Sequence, residues 1–116
     1  MRVALLCLAL VACGASQQET TLRATLVALN TAEAALVAYD AQHQSDIVSK
    51  ATSAADGRSE LDAYRLKRAK VVDSILAAYR AEALAAVIKA DDKSLATLLY
   101  AAGIVESELR ELGVIK

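Results

Sequence analysis

The chain has 116 residues, room for one domain. Its 13 basic and 14 acidic side chains give a net charge of −1, and only 3% of residues are aromatic, which excludes nucleic acid as the main partner. Hydrophobic residues make up 56% of the chain, with no Pro, Phe or Trp and four Gly, a composition of helix formers that argues against a strand-rich fold.

Met1 and Arg2 supply a short positive start, and residues 3–12 are apolar apart from Cys7. Ten residues rise only about 15 Å as helix, half of what a bilayer core requires, but they match the hydrophobic region of a secretory signal. The run ends at Leu10-Val11-Ala12-Cys13, and a polar stretch over residues 14–19 follows.

The body that follows predicts three helices. From about Thr20, capped by Thr20 or Thr21, apolar residues recur at helical spacing: Leu22, Leu26, Leu29, Leu36 and Ile47. The rhythm lapses over residues 49–53. Ser53-Ala54-Ala55-Asp56 and Ser59-Glu60-Leu61-Asp62 both read as capped starts. The earlier start, near Ser53, is preferred and keeps Gly57 in the first turns at about 1 kcal/mol; the later one would use Asp56-Gly57 as a turn. A broad stripe of Leu61, Tyr64, Val71, Val72, Ile75, Leu76, Tyr79, Leu84, Val87 and Ile88 then suits a middle helix that meets two neighbours. Asp91-Asp92 breaks that helix and offers a cap to a third. There Leu95, Leu98, Ala102, Val105, Leu109 and Leu112 follow alternating 3-4 spacing, the knobs-into-holes pattern. Glu106 and Arg110 form an i,i+4 pair on an outer face, and Gly113-Val114 reads as a C-cap. Helices of about 30, 37 and 20 residues, joined by short connections, predict an all-α, elongated, antiparallel three-helix bundle over residues 20–116. A helical hairpin that completes its core by oligomerising is the alternative.

Leu10-Val11-Ala12-Cys13 resembles the lipobox of bacterial lipoprotein signal peptides. The resemblance implies cleavage between Ala12 and Cys13, removal of residues 1–12, and a diacylglycerol on the Cys13 thiol, with residues 13–19 as a lipidated tether. Two or more acyl chains anchor a protein stably where one does not. Gly14, where Asp would signal retention at the inner membrane, implies an outer-membrane position facing the periplasm in a Gram-negative host. Cys7 leaves with the leader, so no intramolecular disulfide is expected.

Few side chains suggest chemistry. His43 is the sole histidine, and Asp40 stands one turn before it. Such a pair can ligate a metal in helical bundles, but a metal site needs further ligands, and a buried polar pair or a solvated face is the simpler reading. Arg65, Lys67, Arg68 and Lys70, with Arg58 nearby, form a basic cluster that could meet anionic headgroups but reads first as a solvated helix face. Tyr39, Tyr64, Tyr79 and Tyr100 read as core or core-edge residues. No His-plus-acid arrangement marks a Ser or Thr as a nucleophile. The lipobox cysteine, the Ala-rich helices and Lys116 together resemble Braun-type murein lipoproteins, which implies a candidate peptidoglycan attachment at Lys116. Those proteins, however, form one unbroken heptad helix.

The chain is therefore expected to be a non-enzymatic, membrane-anchored envelope lipoprotein without cofactors. Its partners are the lipid bilayer through acylated Cys13 and a protein or a second copy of itself. A phage- or prophage-encoded lipoprotein of lysis or exclusion type, and a metal-binding helical protein using Asp40 and His43, are the alternatives.

Overall fold

The computed structural model describes residues 17–87 and 91–116. Ala12 of the expected leader, Cys13 of the expected tether and Ile88 of the expected α2 stripe lie outside the described residues. Three helices follow in order: α1 (Gln17–Lys50, 34 residues), α2 (Ala54–Val87, 34 residues) and α3 (Asp92–Leu112, 21 residues). No strand occurs among the described residues. Each helix packs on the other two. The bundle measures 58 × 23 × 16 Å, with a radius of gyration of 17.0 Å against about 13 Å for a compact domain of this size. The elongated three-helix bundle is the fold, and the core closes within one chain.

Each helix end has a local cause. The chain is already helical at Gln17, so residues 17–19 extend the helix into the expected tether. Thr21 caps nothing; its hydroxyl donates to the Gln17 carbonyl at 2.9 Å inside the helix. The α1–α2 turn confirms the earlier of the two starts. The Ser53 Oγ accepts the Asp56 N–H at 3.1 Å, the Gly57 N–H donates to the Ser53 carbonyl at 3.0 Å, and the Thr52 hydroxyl donates to the Asp56 carboxylate. Gly57 is buried, and a Cβ there would stand 3.0 Å from the Ala51 Cβ, so the tight turn needs its missing side chain.

Asp91 caps α3, its carboxylate accepting the Ser94 N–H at 2.7 Å. The other end is a Schellman motif: the Gly113 N–H reaches the Leu109 and Arg110 carbonyls and the Val114 N–H reaches Leu109 at 2.9 Å. Gly113 sits at φ 96°, a left-handed conformation that a side chain disfavours.

The core runs along the seam of small and aliphatic residues. Leu29, Ala32 and Leu36 of α1 meet Val71, Ile75 and Ala78 of α2 and Leu98, Val105 and Leu109 of α3. Ala32, Ala78 and Ala85 are almost wholly buried, as close helix approach through Ala-rich seams requires. The 3-4 pattern of α3 is realised in full: Leu95, Leu98, Val105 and Leu109 are buried, and Ala102 and Leu112 pack at the edge.

Three expectations need correction. The α2 stripe is narrower than its apolar residues suggest. Tyr64, Val71, Ile75, Ala78 and Ala85 face inward, whereas Leu76, Leu84 and Val87 are 48%, 59% and 80% exposed. Alanine fills the positions between close helices, so larger residues beside it are left outside. Tyr100 is not a core residue but 72% exposed, because it lies two positions from the fully buried Leu98, across the helix. Glu106, read as outer, is buried with only 8% exposure: α3 touches two helices and buries an arc wider than its a/d seam. Its 2.9 Å bond with Arg110 is present as expected. Outside any expected stripe, Val48, at 61%, and Leu66, at 75%, are exposed near the α1–α2 turn.

Candidate functional site

The densest polar cluster of the described residues forms where α3 stops. Helix α3 is 13 residues shorter than its neighbours, so around Leu112 the bundle passes from three helices to two. Tyr39 and His43 stand one turn apart on α1. Their rings stack with centroids 4.9 Å apart and a 16° interplanar angle, and Tyr64 of α2 leans on His43 at 4.7 Å and on Tyr39 at 6.4 Å. The Tyr39 hydroxyl donates to the Leu112 carbonyl at 2.9 Å, tying the end of α3 to α1. That hydroxyl has one proton. With that proton committed to Leu112, the 3.3 Å contact between Tyr39 Oη and His43 Nδ1 is one in which the phenol oxygen accepts from the imidazole Nδ1–H. A Cβ on Gly113 would stand 3.1 Å from the Tyr39 Oη, so the glycine makes room for this clasp as well as for the left-handed turn.

Asp40 is the electrostatic centre of the cluster. It accepts from the Tyr64 hydroxyl at 2.9 Å, from the Gln44 amide at 2.9 Å, and from one Arg68 nitrogen at 2.9 and 3.1 Å on its two oxygens. Burial alone would raise its pKa. The hydrogen bonds from Arg68, Gln44 and Tyr64, with the charge of Arg68, outweigh that and hold it below the usual carboxylate range. Tyr64 moves the opposite way, its pKa raised by burial and by the bond to the anionic Asp40. Further along the same interface, Tyr79 Oη lies 2.6 Å from Asn30 Oδ1 and 2.9 Å from Glu33 Oε2, and burial with the neighbouring Glu33 pushes its pKa up to about 12.

The candidates read from the sequence fall into place around this centre. Asp40 and His43 belong to one cluster, but they face different partners: both Asp40 oxygens are engaged by Arg68, and His43 is held between tyrosine rings. No group of three or more His, Cys, Asp or Glu side chains able to hold a metal occurs among the described residues.

The basic cluster divides. Arg68 pairs with Asp40, Lys70 approaches Glu108 at 3.9 Å across the α2–α3 interface, and the exposed Arg65 donates to the Gln44 amide oxygen of α1 at 3.4 Å, while Lys67 is exposed. Glu108 Oε2 is buried without a hydrogen-bond partner. Lys116 is exposed. Cys13 and Ala12 fall outside the described residues.

Two further features were not anticipated. An open groove of about 570 Å³ flanks the α1–α2 turn, lined by Val48, Gly57 and Leu61 with Arg58, Asp62 and Arg65. A smaller cleft of about 280 Å³ beside the tyrosine cluster is lined by His43, Glu60, Lys67 and Glu111. No sequence signal marks either, since each depends on how far α3 extends along its neighbours.

No family model matches the chain, and neither curated proteins nor solved structures give a match. The chemistry of the cluster therefore rests on its own geometry. Its hydroxyls, carboxylate and guanidinium bond to one another across helices, which makes it a fastening between elements.

Proposed function

We propose that this chain is a lipid-anchored envelope protein: acylated Cys13 holds a three-helix bundle on a membrane, and the bundle acts as a non-enzymatic structural or interaction module. One observation carries the reading, the sequence Leu10-Val11-Ala12-Cys13 at the close of an apolar run too short to span. Among the described residues no helix is long and apolar enough to cross a membrane, so in this reading attachment falls to the acyl chains. The polar side chains around Asp40 support a non-catalytic role, because their hydrogen-bonding capacity is used in joining helices. In a Gram-negative host, Gly14 at the second mature position favours the outer membrane, facing the periplasm.

Growth of a bacterial host on an alkyne-bearing fatty acid tests the proposal. The wild-type protein is expected to take up label, and Cys13→Ser is expected to take up none. Label that persists on Cys13→Ser, or a wild type without label, contradicts the assignment.

A further inference from the structure

We infer that the end of the bundle at which α1 begins rests in the headgroup layer of the bilayer, with Leu84 and Val87 as its contact side chains. The inference builds on the proposed acylation of Cys13 and adds an orientation and a contact surface to it. Three helix ends meet there. Gln18 Nε2 donates to the Asp92 carboxylate at 3.3 Å, joining the start of α1 to the start of α3, and α2, antiparallel to both, ends at Val87. On the last turns of α2, Leu84 is 59% and Val87 80% exposed. The groove next to them, about 190 Å³, is lined by Ala81 and Leu84 of α2 and by Ser94 and Thr97 of α3.

Chain length decides what can cover this end. Four peptide steps separate Cys13 from Gln17, a reach of at most about 14 Å. The polar layer on each face of a bilayer is about 5–8 Å thick. A cysteine whose acyl chains enter the hydrocarbon therefore keeps the first turn of α1, and the helix ends bonded beside it, at the membrane surface. Aliphatic side chains gain from that boundary, and the charges that residues 80–93 carry, Arg80, Lys89 and Lys93 against Glu82, Asp91 and Asp92, balance, which suits a zwitterionic surface.

The chain has no Trp, so single Trp substitutions are clean reporters. A chain of residues 13–116, which retains the whole described core, carries one thiol, Cys13. Coupling that thiol to a maleimide lipid in phosphatidylcholine vesicles fixes the anchor chemically, so the result does not depend on whether cells acylate it. Val87→Trp is expected to shift to the blue on coupling and to lose emission when the vesicles carry brominated lipid. Leu66→Trp, at a position 75% exposed and about 31 Å along α2, is expected to keep its emission. Leu84→Trp serves as a second reporter should circular dichroism show that Val87→Trp disturbs the helix. Val87→Trp emission indifferent to bromine overturns the inference. So does equal quenching at both sites, which would lay the bundle flat, or a concentration-dependent blue shift before coupling, which would give the face to a second copy.

Discussion

The middle of the bundle and its tyrosine-lined end are held by different physics. In the middle, three helices enclose Leu29, Leu36, Ile75, Leu98 and Leu109, and stability comes from removing aliphatic surface from water. Past Leu112 only α1 and α2 continue, and little aliphatic surface beyond Ile47 is buried between them. There the interface is closed by rings that carry polar tips, Tyr39, His43 and Tyr64, and by the Asp40–Arg68 pair. Where a bundle loses a helix, amphipathic side chains take over from aliphatic ones, and the fastening becomes directional and sensitive to pH.

Substitutions should separate the two regimes, beginning with the core. Leu98→Ala removes a fully buried side chain at the three-helix centre and should cost about 2–5 kcal/mol, read as a lower denaturation midpoint of the whole bundle. Asp40→Asn should cost less, about 1–2 kcal/mol, because Asp40 and Arg68 retain 24% and 32% side-chain exposure and solvent screens the pair. Its signature is a change in pH dependence. The folded pKa of Asp40 is depressed, so its contribution is present above the unfolded carboxylate value and is lost as pH falls through the folded one. Acid titration of stability should flatten in Asp40→Asn, while Leu98→Ala leaves the slope unchanged.

Gly113→Ala strains the left-handed cap and crowds Tyr39, for about 1–2 kcal/mol, and hydrogen exchange should quicken at the end of α3 before it does elsewhere. The smallest effect belongs to Tyr79→Phe, about 0.5–1 kcal/mol near neutrality. A raised folded tyrosine pKa contributes stability below the unfolded value, and that stability is lost as pH climbs. Wild type should therefore weaken from about pH 10 through about 12, and Tyr79→Phe should weaken less over that window.

Sequence periodicity reached the regular part of this molecule. The α3 seam, the Ser53 start, the Asp91 cap and the Gly113 ending depend on neighbours within a few residues, and each stands where those neighbours point. The tyrosine cluster was only half readable. Tyr39, Asp40 and His43 share a stretch of α1, but their partners Tyr64, Arg68 and Leu112 lie 24 to 73 residues away, at a register set by packing. Tyr100 and Glu106 were misplaced for a related reason. Apolar character alone does not tell which arc of a helix faces two neighbours, so a tyrosine went inward and a glutamate outward when the packing requires the reverse.

The proposed anchor has the most direct test in the intact mass of the protein purified from the envelope of its native host. The account predicts a chain that begins at Cys13 and carries the added mass of diacylglycerol, with or without a third acyl group. A product that still begins at Met1, or one whose Cys13 thiol is free, would contradict it.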